Sequence, residues 1–355
     1  MPNAPIRLLI AASGTGGHLF PAIAVAQQLP DYKIEWLGVP NRLEQELVPT
    51  QYPLHTIPIE GLQQRFGLGT LRIIGRLVSS LYQVRQLLKT GKFDAVFTTG
   101  GYIAGPAIIA ASWLGLPVIL HESNALPGKV TRWLGPWCST LALGFESATK
   151  YLPKAEKVWV GTPVRSNFLE NQALELPIPE DVPLIVVVGG SQGAVSVNQL
   201  VRQCAPAWFD AGAWIVHLTG EQDPDANSLQ HPQYIQMPFY HNIAALLQRA
   251  NLAISRAGAG TLTELATTQT PAILIPYPYA AEDHQAFNAA SFVDAGAALV
   301  FRQSELTPQL LTSKVMYLLE SPQILQQMSQ KAASLAVRDS ATRLASLVRQ
   351  LVEES

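Results

Sequence analysis

Apolar residues in this chain fall into short, nearly unbroken runs, separated by longer stretches where apolar and polar positions alternate at helical spacing. The runs in the first half are IRLLIAAS, KIEWLGV, LHTIPIE, DAVFTTG, VILHES, TLALGF and KVWVG. Those in the second half are LIVVVGGS, WIVHLTG, YIQMP, LAISRAG, AILIPYP and ALVFR. Strands covered on both faces read as continuous apolar segments. Their alternation with helical patterns predicts parallel sheets joined by right-handed crossovers. The fold class is therefore α/β. A seam is expected at GTPVRSNF, residues 161–168, because the polar, proline-rich stretch LENQALELPIPEDVP follows it and leads into a second sheet.

Residues 101–120, GYIAGPAIIAASWLGLPVIL, carry no charge and are long enough to span a bilayer. Gly105, Pro106, Gly115 and Pro117 punctuate them. They read better as a buried helix from about Pro106 to Leu114, a turn at GLP and a buried strand VILHE.

Composition narrows the function. The chain has 355 residues, 48% of them hydrophobic and 14% charged, which suits two packed domains and excludes disorder. A net charge of −2 argues against a nucleic-acid binder held mainly by charge. Cys138 and Cys204 form neither a disulfide framework nor a metal-ligand spacing, and read as reduced, buried thiols. The N-terminus MPNAPIRLLI lacks the features of a signal peptide.

Both halves open with a strand running into a glycine-rich turn, LLIAASGTGGH and IVVVGGSQGA. Open parallel sheets bind ligands beyond the carboxyl ends of their strands. GGSQGAVSVN (residues 189–198) is the better anion site: a helix starting near Gly193 would aim free N–H groups at a phosphate, although a bare strand-to-helix turn looks the same. In SRAGAGTLTEL (255–265), Glu264 could accept from ribose hydroxyls or be a solvated helix carboxylate. Arg256 could sit over a diphosphate or form a surface ion pair. In EDHQAFNAA (282–290), Gln285 and Asn288 share a helix face and suit sugar hydroxyls, while Asp283 could simply cap the helix.

In the first half, SGTGGHLFP, TTGGYIAGP and HESNALPG should end at one sheet edge, bringing His18, Tyr102, Glu122 and Asn124 together. His18 is then a candidate general base, or a cap on the turn's backbone. His121 and His217 read as core or strand-end histidines. No His/Cys cluster suggests a metal, and neither glycine turn completes the dinucleotide fingerprint of a dehydrogenase.

Taken together, GTGGHLFPAIAVA, GGYIAGP, HESNALPG, GTPVR, GGSQGAVSVN, SRAGAGTLTEL and DHQAFNA resemble, in order and over nearly the whole chain, the MurG family of bacterial N-acetylglucosaminyltransferases, glycosyltransferase family 28. The resemblance implies a GT-B fold, with two Rossmann-like domains whose parallel sheets face across a cleft. It implies an acceptor-binding, membrane-associating domain over residues 1–162, a UDP-GlcNAc-binding domain over 163–335, and a C-terminal helix at about 336–355 packing back on the first. The implied reaction is inverting transfer of GlcNAc from UDP-GlcNAc to the C4 hydroxyl of MurNAc in undecaprenyl-diphosphate-MurNAc-pentapeptide (lipid I), with neither metal nor cofactor. His18 and Glu122 carry over as catalytic residues. The donor set is Thr15, Gly16, Gly17 and Asn124, which stand on the acceptor-side domain, with Arg165, Ser191, Gln192, Gly193, Asn198, Tyr240, Arg256, Glu264, Gln285 and Asn288. Phe239 joins Tyr240 where the family lines its uracil pocket. Gly14, Tyr102 and Thr131 carry over to the acceptor side. The chain departs from the family at Ser123, Thr131 and Thr162, where glutamine, asparagine and asparagine are common.

Residues 61–93 contain Arg65, Arg72, Arg76, Arg85, Lys89 and Lys92 and no acidic residue. Arg65, Phe66, Leu68, Leu71, Arg72 and Arg76 form a candidate patch for an anionic membrane, although core packing of the same apolar residues is the competing reading. A lipid-linked acceptor favours the membrane and implies peripheral attachment at the cytoplasmic face of the inner membrane, with cell-wall or division proteins as candidate partners. Rival readings are another sugar-nucleotide enzyme of the same fold, such as a lipid glycosyltransferase or a UDP-GlcNAc 2-epimerase, and a non-catalytic UDP-sugar sensor.

Overall fold

A computed structural model of the chain describes residues 5–59, 68–190 and 193–354; of residues 68–74 it describes the backbone alone. The chain divides into two compact units, residues 1–164 with 339–355, and residues 165–338.

The first unit holds a parallel sheet of β1 (Arg7–Ala11), β2 (Lys33–Gly38), β3 (Leu54–Thr56), β4 (Ala95–Thr98), β5 (Val118–Glu122), β6 (Thr140–Leu143) and β7 (Lys157–Trp159), in the order β3-β2-β1-β4-β5-β6-β7. Its helices are α1 (Gly16–Gln27), α2 (Glu44–Leu47), α3 (Leu68–Gly91), α4 (Ala104–Trp113) and α5 (Lys129–Leu134). The second unit holds β8 (Leu184–Val188), β9 (Trp214–Leu218), β10 (Tyr234–Met237), β11 (Leu252–Ser255), β12 (Ala272–Leu274) and β13 (Ala298–Val300), in the order β10-β9-β8-β11-β12-β13. Around it run α6 (Val195–Asp210), α7 (Ile243–Arg249), α8 (Ala259–Thr267), α9 (His284–Ala295), α10 (Pro308–Leu319) and α11 (Pro322–Ser334).

Every apolar run singled out above forms a strand, and all are parallel. Central strands are buried on both faces, as their unbroken apolar composition requires: Leu8, Leu9, Ile10 and Ala11 of β1, and Ile185, Val186 and Val187 of β8, are fully inaccessible. LHTIPIE is trimmed to the three residues of β3 at the sheet edge. The uncharged stretch 101–120 becomes α4 and β5, separated by a turn at Gly115 with φ +70°. Among the described residues, no helix is long and apolar enough to cross a membrane.

Strand order reverses between β1 and β4 in the first sheet, and between β8 and β11 in the second. Crossovers leave such a switch point in opposite directions, so a crevice opens there at the carboxyl edge. SGTGGH follows β1 and TTGGY follows β4, while GGSQGA follows β8 and SRAGAG follows β11.

The chain returns to the first unit as α12 (Ser340–Glu353), which packs on α1. Leu344, Ala345 and Val348 enter the same core as Leu19, Ala22 and Val25 of α1. At its far end the Arg349 guanidinium forks onto Asp31, with Nη1 2.6 Å from Oδ2, and lies 5.1 Å from the centre of the Tyr32 ring. Leu344→Ala should therefore destabilise the first unit by about 2–5 kcal/mol, the usual result of emptying a buried leucine site. Urea unfolding checks this, and a variant within about 0.5 kcal/mol of wild type would mean that α12 is only loosely attached.

Candidate active site

In the first unit, β1 ends at Ala11 and Gly14 turns the chain with φ +104°. His18 lies in the first turn of α1, half-buried, with Nδ1 2.7 Å from the carbonyl oxygen of Thr99 beyond β4. A carbonyl only accepts, so Nδ1 carries the proton and, in the neutral ring, Nε2 keeps the lone pair. The ring spans the switch point and packs on Gly100 and Gly101, whose φ values of +88° and +75° favour glycine. One nitrogen thus holds a backbone carbonyl beyond β4, not the backbone of its own glycine turn, while the other is left able to accept a proton.

Glu122, at the end of β5, is buried. Its carboxylate accepts from Asn124 N (3.0 Å), Asn124 Nδ2 (3.1 Å), Gly128 N (2.9 Å) and the Thr131 hydroxyl (2.6 Å). Four donors engage the lone pairs that an acid–base role would need. These bonds tie Glu122, expected to be catalytic, to loop 123–131. Thr131, expected on the acceptor side, is 2% exposed and faces Glu122 instead. Asn124 is held by Glu122, and Tyr102 stands exposed just before α4.

The first glycine turn has a partner that the motif did not reveal. Glu44, fully buried on α2, accepts from the Ser13 hydroxyl (2.6 Å), Gly14 N (3.3 Å) and Val39 N (2.7 Å). The Gly14 N–H, expected to face the acceptor, is therefore directed at a carboxylate. Thr15, Gly16 and Gly17 form the start of α1, and the Thr15 side chain makes no capping bond.

In the second unit, Gly190 (φ +89°) and Gly193 (φ +75°) shape the turn after β8. A Cβ on Gly193 would run into Thr219 O, and one on Gly189 would lie 2.5 Å from Ala194 N, so both positions require glycine. The helix begins at Val195 rather than Gly193. Ser191 and Gln192 lie outside the described residues.

Three residues expected to contact the donor are hydrogen-bonded within their own unit. Asn198 is fully buried: its amide donates to Thr219 O (2.8 Å) and Asp223 Oδ2 (2.7 Å), and its oxygen lies 3.0 Å from His217 Nε2. Arg202 forks onto the same Asp223 at 2.9 and 3.0 Å, so the network fixes the segment against which Gly193 packs. Arg256 is 7% exposed and donates to Ile275 O (3.1 Å), Pro276 O (3.4 Å) and Gln303 Oε1 (2.7 Å), so it is a buried brace, neither a free cation nor a surface pair. Burial holds its guanidinium below the ordinary arginine value. Asn288 is fully buried and donates to Ala257 O at 3.2 Å. The amide pattern signalled hydrogen bonding correctly but not its direction.

Other residues expected at the donor site pair with one another in the second unit. Arg165 Nη2 donates to Glu264 Oε1 at 3.1 Å, and both side chains keep partial exposure, 26% and 19%. Burial raises the Glu264 carboxyl above the usual carboxylate value, and the Arg165 charge offsets part of that rise. Gln285 Oε1 accepts from Ala257 N (3.2 Å) and Tyr277 N (2.9 Å), tying the loops after β11 and β12 together. Asp283 makes no capping bond to α9; it pairs with Arg302. Tyr240 is buried beside an exposed Phe239, and among the described residues its hydroxyl has no partner.

Of the membrane-patch residues, Arg65 and Phe66 lie outside the described residues, and Leu68, Leu71 and Arg72 are described only as backbone of α3. Further along, Ser80, Val84 and Leu88 are buried on the side that packs with α4, and Arg76 is half-buried. Val78 and Tyr82 project outward, 60% and 66% exposed, near Arg85 and Lys89 on the same helix.

Comparison with known proteins agrees with this architecture. Residues 8–143 match the glycosyltransferase family 28 N-terminal domain, and residues 184–344 match the family 28 C-terminal domain. A Nostoc sp. (strain PCC 7120) protein named UDP-N-acetylglucosamine–N-acetylmuramyl-(pentapeptide) pyrophosphoryl-undecaprenol N-acetylglucosamine transferase is 68% identical over 99% of this chain and 100% of its own length. The protein of that name from Nostoc punctiforme is also 68% identical, with the same coverage. The crystal structure of Acinetobacter baumannii MurG superposes with a TM-score of 0.79 at 31% identity, covering 98% of this chain and 100% of that one.

The two core histidines give the fold a pH dependence. His121 is fully buried, donates from Nε2 to Gly161 O at 2.9 Å, and is pushed down to about 4 by burial. His217 is pushed down to about 3 by burial and the nearby Arg202 charge. Below the ordinary imidazole value of 6.5 the unfolded chain takes up protons that the folded chain refuses. Stability should hold above that pH and fall as pH drops towards 4, with His121 contributing about 3 kcal/mol to the loss. Urea midpoints across that range test this: His121→Asn should show a shallower fall than wild type, and parallel curves would remove His121 as a cause.

Proposed function

The chain belongs to glycosyltransferase family 28, and on that footing we propose that it transfers GlcNAc from UDP-GlcNAc to the C4 hydroxyl of MurNAc in undecaprenyl-diphosphate-MurNAc-pentapeptide, with inversion. The observation that carries the reading is His18: its Nδ1–H is fixed on Thr99 O, which leaves Nε2 as the basic atom at the carboxyl edge. Relatives named for this reaction along the full length of the chain support the choice of substrates.

In the proposed reaction the acceptor O4 attacks the anomeric carbon, the bond from that carbon to the diphosphate oxygen breaks, and the hydroxyl proton passes to His18 Nε2. The resulting imidazolium is steadied by Thr99 O, which already accepts from its other nitrogen. Charge developing on the departing UDP meets the amino end of α6 and Arg165, with the glycine turn that precedes that helix. Glu264 accepts from the ribose hydroxyls, and Gln285 presents its amide to the sugar. Ser191 and Gln192 are assigned to the diphosphate by the family resemblance. Asn198, Arg256 and Asn288 support the loops from beneath, and Glu122 positions the acceptor loop.

Transfer of labelled GlcNAc from UDP-GlcNAc to a lipid I analogue tests the assignment. Conversion of UDP-GlcNAc without acceptor would instead identify an epimerase, and binding without turnover a sensor. His18→Ala should lower kcat by about 10²–10⁴ while UDP binding stays near wild type. If kcat barely moves, His18 is only an anchor for Thr99.

A lipid-linked acceptor requires an enzyme that works at a bilayer surface. We assign the docking face to α3, where exposed Val78 and Tyr82 accompany Arg85 and Lys89, together with the basic segment preceding them. The protein then sits peripherally on the cytoplasmic face of the inner membrane. Each basic side chain near an anionic surface contributes about 1 kcal/mol. A folded variant with Arg65, Arg72 and Arg76 replaced by glutamine should sediment less with anionic vesicles than wild type. Equal sedimentation would move the docking face elsewhere.

A further inference from the structure

Loop 276–283, between β12 and α9, ends in two consecutive non-glycine residues in the left-handed region, Glu282 (φ 51°, ψ 27°) and Asp283 (φ 57°, ψ 27°). Among the described residues no other pair of adjacent side-chain-bearing residues shares this conformation. Such a backbone persists only where its surroundings fix it.

Two neighbouring side chains just beyond β13 do so. The Arg302 guanidinium forks onto the Asp283 carboxylate, Nη1 to Oδ1 at 2.8 Å and Nη2 to Oδ2 at 2.7 Å. The Gln303 oxygen accepts from Arg256 Nη2 at 2.7 Å, and Arg256 in turn donates to Ile275 O and Pro276 O. The two ends of the loop are thereby tied to adjacent residues of one segment. Gln285 depends on both ties. Its Oε1 accepts from Tyr277 N inside the loop and from Ala257 N beside Arg256, which turns its Nε2 the other way.

We propose that Arg302 and Gln303 are positioning residues for the sugar end of the donor: they brace loop 276–283 so that Gln285 Nε2 is aimed before UDP-GlcNAc arrives. The proposal rests on the donor-site reading above. Neither residue needs to touch the nucleotide. The brace acts through the orientation of one amide, so it should discriminate UDP-GlcNAc from UDP. A general loss of fold would weaken both ligands alike.

The test is calorimetric titration of the full chain with UDP-GlcNAc and with UDP. Arg302→Gln removes one half of the fork. Asp283→Gly removes the other half while relieving a left-handed side chain, so it is the variant expected to stay folded. Each should weaken UDP-GlcNAc about tenfold and UDP by less than about threefold. The double variant should be no weaker than either single, because both act on one contact. Arg302→Lys, which keeps the charge but not the fork, should fall between wild type and Arg302→Gln. Unchanged UDP-GlcNAc affinity in folded Arg302→Gln, equal losses for the two ligands, or additive losses in the double variant would overturn the brace and leave the donor site standing. Wild type that fails to bind UDP-GlcNAc would overturn both.

Discussion

In a parallel sheet every strand ends on the same edge, and each turn leaving that edge carries backbone N–H groups that no ladder pairs. Both units of this protein are built on that constraint. A buried N–H must find an acceptor. The first unit supplies buried carboxylates: Glu44 collects donors from the turns after β1 and β2, and Glu122 collects them from the turn after β5. The second unit uses Asp223 for the segment after β9 and the Gln285 oxygen for those after β11 and β12. These acceptors make the edge rigid, and His18 is fixed to the same scaffold through Thr99 O.

Rigidity at this edge suits a transferase. Stabilising a leaving diphosphate depends on dipoles that already point the right way, since reorienting them during reaction would return much of the gain. Gly190 and Gly193 take left-handed backbone conformations, and the Asn198 amide holds Thr219 O, the atom that a Cβ on Gly193 would meet. In the first unit, His18 has one nitrogen fixed on Thr99 O, and the sheet edge provides that anchor.

The strands were legible in the sequence because central parallel strands must be apolar on both faces, and little else produces such runs. The glycine turns were legible for a similar reason, since few residue types tolerate their backbone. Side-chain direction was not. Asn198, Arg256 and Asn288 are the residue types that bind sugars and phosphates, but the same types satisfy buried carbonyls, and spacing along a helix does not say which way a side chain turns from its loop. Glu122 is similar: a carboxylate at a strand end suggests chemistry, and spacing does not disclose the four donors around it. Glu44 escaped notice because its partners Ser13 and Gly14 lie 31 and 30 residues away in sequence. Arg302 and Gln303 follow a weakly patterned edge strand, with no glycine or motif to mark them.

The return of the chain to its first unit has a consequence for biosynthesis. Residues 165–338 are continuous, so that unit can assemble as soon as it leaves the ribosome. The earlier unit cannot: the surface of α1 that buries Leu344 and Val348 stays bare until residues 340–353 are translated. The unit begun before the other is therefore completed after it, and while the ribosome synthesises the second unit the nascent chain exposes an apolar stripe open to chaperones.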